Sequence, residues 1–129
     1  KKIMKERYNM KIAISATGQK QESLLDRRFG RCDYFLIYDT ELGEEKAIIN
    51  AGASSGGGAG IAAANQVIEE NVSAIITGNL GPNAFELIEK AGIKAYTCDE
   101  LPVIQAIEML QKNELSEINI AGNAHHGMN

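Results

Sequence analysis

At 129 residues and a formal charge of −4, the chain is sized for one globular domain and lacks the basic balance that broad nucleic-acid binding requires. With no tryptophan and only three phenylalanines, its core must be built from Ile, Val, Leu and Ala. No apolar run approaches the ~20 residues of a membrane span. Two distant cysteines without a secretory leader point to reduced thiols in the cytoplasm rather than a disulfide framework.

Residues 1–9 (KKIMKERYN) are charged and aperiodic, and read as a loose extension. Residues 11–17 alternate Ile12 and Ile14 with small neighbours and form a first strand. A long polar connection, 18–30, follows. With 52–60 it is expected to be the most mobile internal part of the chain, because few side chains can anchor either stretch. The β-forming run YFLIY (34–38) is a second strand, 41–44 a turn, and 46–50 a third strand. The short turn makes these two an antiparallel hairpin.

A glycine-rich stretch comes next: five of the nine residues from 52 to 60 are glycine. It opens a helix over 61–70, where Ile61, Ala64, Val67 and Ile68 share a face. Residues 73–77 form a fourth strand. The segment GNLGPN (78–83) leads into a second helix with Pro82 in its first turn and Gly92 at its end. A fifth strand (93–97) precedes a third helix over 100–112, with Asp99 as its cap. Residues 117–121 read either as a short sixth strand or as a docked segment, and 122–129 as a flexible tail. The single domain thus spans 10–121.

The hairpin makes the third strand parallel to the first, and right-handed crossovers add the fourth and fifth in the same sense. The expectation is an α/β domain of ribonuclease H-like topology: a mixed five-stranded sheet of order 3-2-1-4-5 with helices on its faces. Strand ends and helix starts then meet along one rim, where open α/β sheets bind ligands. That rim collects Arg27, Arg28, Arg31 and Cys32, the glycines Gly56, Gly57, Gly58 and Gly60, then Gly78, Asn79, Gly81 and Asn83, and finally Cys98.

Main chain without side chains, two helix starts and three arginines suit a small anion. Surface solubility accounts for the arginines equally well, and turn or capping roles for Asn79 and Asn83. Cys32 beside arginines would favour thiolate and a soft metal, or would be an inert buried thiol. Cys98 has the weaker claim. His125 and His126 would reach the same rim only if 117–121 ran parallel to the other strands. Nuclease chemistry is disfavoured, since the first and fourth strands carry no acid for a two-metal site. Neither a P-loop ending nor a dinucleotide fingerprint is present.

Four segments together resemble the dinitrogenase iron–molybdenum cofactor biosynthesis family: RFGRCDYFLIY (28–38), GGGAGIAAA (56–64), ITGNLGPNA (76–84) and AGI (91–93). The family includes NifX-like carriers, the carboxyl-terminal domain of NifB-like proteins and small stand-alone members. The resemblance covers about residues 10–113. It implies a ribonuclease H-like domain that binds or carries a metal–sulfur cluster, of iron and/or molybdenum, without catalysis of its own. The related orange proteins similarly hold a molybdenum–copper sulfide cluster. Family carriers often place a histidine near the Phe-Gly loop, where this chain has Cys32 and arginines. The expected cargo is an inorganic cluster or other small anion, and the expected partner a cluster-assembly or redox protein. Two alternatives are an interaction module that holds no cluster and an enzyme acting on a small phosphorylated substrate.

Overall fold

The computed structural model describes residues 10–54 and 56–122. The elements run β1 (Lys11–Ala16), β2 (Tyr34–Asp39), β3 (Glu44–Ile49), α1 (Ala59–Glu69), β4 (Ala74–Thr77), α2 (Pro82–Lys90), β5 (Lys94–Thr97), α3 (Val103–Gln111) and β6 (Ser116–Glu117). They form one α/β unit around a mixed sheet of order β3-β2-β1-β4-β5-β6. β2 and β3 are antiparallel neighbours, while β4 and β5 run parallel to β1. The five-stranded expectation is corrected by β6, which adds to β5 in the antiparallel sense.

The two-residue period of a strand sends alternate side chains to opposite faces, and both faces of β1 are covered. Ala13 joins Phe35, Ile37, Ala63, Val67, Ile75 and Ile88 in a core beneath α1 and α2. Ile12 and Ile14 join Leu36, Ile76, Val103, Ile107 and Leu110 in a second core beneath α3. This explains why β1 and β4 are almost wholly apolar. Each fully buried Ile or Leu contributes about 1.5–3 kcal/mol of transfer free energy.

The helix ends follow local chemistry. Gly58 precedes α1 with φ 71°, a left-handed conformation that glycine adopts without penalty. Pro82 opens α2, where its missing N–H leaves nothing unpaired. α3 starts later than expected, because Pro102, at φ −55° and ψ 140°, holds extended backbone just before it. Asp99 therefore does not cap it. Asn71 and Gly92, both with positive φ, turn the chain out of α1 and α2.

The connection over 18–30 is pinned rather than loose. Thr17, Leu25 and Asp26 donate backbone hydrogen bonds to Leu24, Leu101 and Ser15 at 2.8–3.0 Å. Leu25 and Phe29 are fully buried, and the Phe29 ring lies 5.2 Å from that of Phe35. These anchors are what the sequence reading did not credit to the segment. After β6, Ile118 donates to Ala95, and Gly122 then reaches Leu80 O at 2.6 Å. The proposed extension over 1–9 and the tail from 123 onward lie outside the described residues.

Candidate functional site

The rim gathers the segments that the topology requires, and four side-chain devices hold them in place. Asn50 is the first. Its buried amide donates to Gly30 O at 3.1 Å and Cys32 O at 2.8 Å, and its Oδ1 accepts from Gly52 N at 2.9 Å. One side chain therefore ties the arginine loop to the glycine loop. Gly52 in turn packs on the first residue of α1, where a Cβ would lie 2.5 Å from Ala59 O. Gln66 secures the same corner by donating to Ile49 O at 2.7 Å and accepting from Ala51 N at 2.9 Å.

Asp26 and Arg28 form the second device. Arg28 Nε and Nη2 meet Asp26 Oδ1 and Oδ2 at 3.1 and 2.9 Å, and Arg28 N adds a third bond at 2.9 Å. Burial pushes the Asp26 carboxyl upward, but the hydrogen bonds and charge of Arg28 outweigh it and hold the group below its ordinary range. In the third device, the hydroxyl of buried Ser15 donates to Asp26 O at 2.5 Å and shares a second bond with Thr77 Oγ1 at 2.7 Å, tying the loop to β1 and β4. The backbone at Arg28 pairs in parallel with that at Asn79. Arg27 is the fourth: it lies across Gly78, where a Cβ would come within 2.3 Å of the Arg27 Cβ, and its Nη1 donates to Cys98 O at 2.6 Å.

Between these supports, α1 and α2 open into one cavity of about 110 Å³, lined by residues 58–61 and 81–84. The first turns of both helices present N–H groups that intrahelical bonds cannot use, and both dipoles place partial positive charge there. Gly58, Gly60 and Gly81 line it without side chains. Larger cavities exist elsewhere. One of about 270 Å³ lies beneath residues 117–119, with Leu80, Phe85, Ile88 and Ile93 as its apolar part and Lys94 alongside Glu89 and Glu117 on its lining.

The predicted site residues thus divide. Arg31 reaches the glycine loop, with Nη1 3.5 Å from Ala53 O. Arg28 is half exposed but spoken for by Asp26, and Arg27 leans away toward Cys98 and Asp99. Gly56, Gly57 and Gly58 are exposed in the loop, and Gly60 lies in the first turn of α1. Asn79 accepts from Leu80 N at 2.9 Å, and Asn83 is exposed in the first turn of α2.

Of the two readings of Cys32, the structure favours the buried thiol over the thiolate. The side chain is fully buried in the core with its Sγ 3.4 Å from Phe29 O. Burial, reinforced by the negative charges of Asp26 and Asp33, pushes its thiol up to about 12. The nearby arginines do not prevail, because Arg28 is neutralised by Asp26. Cys98 is 5% exposed, and burial with the adjacent Asp99 charge raises its thiol too. It sits on the α3 side of the sheet, lining a different cavity with Met109 and Glu114. Among the described residues no group of three or more His, Cys, Asp and Glu is placed to hold a metal ion. His125 and His126 lie outside the described residues; β6 is antiparallel rather than parallel, and the chain after it comes back to the rim at Gly122, against Asn79 and Leu80.

Sequence reading passed over Asp26 and Asn50. The signals were present: an Asp two residues before an Arg, and an Asn two residues before a Gly at a strand end, where Asx turns form.

The fold and the rim define a mixed α/β domain in which two helix starts and an arginine-bearing loop converge on glycine-lined backbone. The family model described as dinitrogenase iron-molybdenum cofactor matches residues 10–113, and the chain belongs to that family. An uncharacterized protein of Methanocaldococcus jannaschii is 32% identical over 119 residues, covering 90% of this chain and 97% of its own. The apo form of the orange protein from Desulfovibrio gigas superposes with a TM-score of 0.84 at 30% identity, over 88% of this chain and 97% of that one. A Thermotoga protein assigned provisionally to NifB, of the DUF35 family, gives 0.77 at 31%, with the same coverages. No helix among the described residues is long and apolar enough to cross a membrane.

Proposed function

We propose that this chain binds and carries an anionic metal–sulfur cluster, containing iron and/or molybdenum, as cargo at the rim and without catalysis of its own. The carrying observation is the shared mouth of α1 and α2, where the first turns of both helices line one cavity. Family membership and the likeness to the orange protein support the choice of cargo. In this reading the backbone over 56–60 and 78–83 donates hydrogen bonds, and Arg31 supplies charge from the glycine-loop side, with Arg27 and Arg28 setting the loop. Asn79 and Asn83 add amide donors. The cluster is gripped by hydrogen bonds and charge rather than by Cys32, whose thiol faces the core. Cys98, on the α3 side of the sheet, has no part in the grip. The topology is ribonuclease H-like, the setting is the cytoplasm, and the recipient is a cluster-assembly or redox protein.

Anaerobic reconstitution with iron, molybdate and sulfide tests this. Metal and charge-transfer absorption should survive desalting, fall with Arg31→Ala, and persist in Cys32→Ala. Failure of wild-type protein to retain any metal overturns the reading. Loading abolished by Cys32→Ala in a folded variant overturns the assignment of the grip.

A further inference from the structure

We propose that the outer edge of β3 is a docking surface for an extended, lysine- or arginine-bearing segment of a partner protein, which joins the sheet as an antiparallel strand. The inference is independent of what the rim holds.

The sheet has two edges, β3 and β6. β6 is two residues long, too short to template another strand. β3 is different: its six residues pair with β2 in unbroken register from Tyr34–Ile49 to Asp39–Glu44, with no bulge and no proline. The direction of its polar groups follows from one bond. Asn50 N donates to Asp33 O at 3.0 Å, so 33 and 50 are a hydrogen-bonded pair. Such pairs alternate along an antiparallel ladder. Lys46 and Ile48 therefore bond to β2, whereas Glu45, Ala47 and Ile49 turn their amides and carbonyls outward. Gln66 confirms the phase by taking Ile49 O from outside at 2.7 Å, which closes the ladder at the rim end. Among the described residues no strand meets Glu45 or Ala47 from that side.

The side chains along this edge select the occupant. The hairpin end carries Asp39, Glu41, Glu44 and Glu45. Lys46, the nearby cation on the strand, is engaged by Glu70 at 2.9 Å. A cavity of about 260 Å³ beside these acids is walled by Ile37 and Leu42, with Lys11 and Lys46 also on its lining. Glu45 accepts a hydrogen bond from Gln21, which leaves Glu41 and Glu44 as the carboxylates with no partner side chain among the described residues. At the other end Ile49 is 71% exposed. An antiparallel guest thus meets an apolar residue near its start and carboxylates near its end. Main-chain bonds supply affinity, and alternate side chains supply selectivity. A second copy of this chain fits poorly. The two-fold pairing that joins Glu45 to Ala47 of the other copy sets Ile48 and Ala47 of that copy opposite Glu44 and Glu45, so it offers the carboxylates no cation.

The probe is the acetylated, amidated hexapeptide Val-Thr-Val-Lys-Val-Lys, titrated into isotope-labelled full chain and followed by amide NMR and hydrogen exchange. Shifts and new protection are expected at Glu45 and Ala47. Ala47→Pro removes an outward N–H and no ladder bond, a change edge strands tolerate, and should weaken binding about tenfold or more. Glu44→Lys with Glu45→Lys should weaken the lysine peptide and favour its glutamate counterpart, an inversion that damage to the fold cannot produce. Three results overturn the proposal: affinity unchanged in both variants, an Ala47 amide already protected without peptide, or protection that rises with protein concentration and so reports a second copy.

Discussion

Replacing Asn50 by alanine is the sharpest probe of how the rim is built. The change removes three hydrogen bonds: two from its amide to the carbonyls of Gly30 and Cys32, and one from Gly52 N to its Oδ1. At a net value of about 1 kcal/mol each, the loss is about 3 kcal/mol, and it grows where a freed carbonyl stays away from water. Urea unfolding should show the midpoint falling at constant slope. Affinity for tetrathiomolybdate, used as a probe anion, should fall as well, because the arginine loop is no longer tied to the glycine loop. Val67→Ala supplies the control: a buried α1 residue away from the rim, costing about 2 kcal/mol while leaving anion affinity unchanged. Asn50→Asp separates the terms. The variant keeps an acceptor for Gly52 but faces two carbonyls with a buried carboxylate, so its folded pKa rises above the unfolded value. Its stability is then fullest in acid and is lost as pH rises through the folded pKa. A loss below about 1 kcal/mol in Asn50→Ala, or an anion affinity indistinguishable from that of Val67→Ala, refutes the role assigned to Asn50.

Two further outcomes follow from the titrating groups. The depressed Asp26 carboxyl contributes stability above its ordinary value of 3.8, and this is lost as pH falls through the lower folded value. Arg28→Ala removes the groups that outweigh burial, so the stability gap between wild type and variant should be widest at neutral pH and narrow in acid. Parallel unfolding curves across pH 3–7 would contradict that. Cys32, pushed up to about 12 and fully buried, should resist thiol labelling at pH 8 in the native state and react only in denaturant, with Cys98 labelled first; rapid native labelling of Cys32 would show that the loop opens.

The fold was legible where periodicity and connection length decide it. The alternation at Ile12 and Ile14, the short turn before β3, and Pro82 and Gly92 around α2 placed every element of the order through α3. β6 was left open because two paired residues carry almost no pattern of their own. The convergence at the rim was legible from strand sense alone. The fates of Arg28 and Cys32 were not. Both depend on Asp26, whose backbone is tied to β1 and β4 through Ser15, 11 residues from Asp26 and 62 from Thr77. A cysteine preceded by Arg27, Arg28 and Arg31 looks activated until Arg28 proves neutralised and the sulfur proves to face Phe29. The pinning of the 18–30 connection was hidden for the same reason: Leu25 bonds to Leu101, far along the chain.

The path taken by the chain after β6 has a practical corollary. Met10 enters at the pole where its amide meets Thr40, while Gly122 leaves against Asn79 and Leu80 at the opposite pole. A linker joined at Met10 stands clear of the helix mouths, and one joined at Gly122 starts against them. Surface capture through Met10 therefore presents the rim outward, whereas capture through Gly122 turns it toward the support.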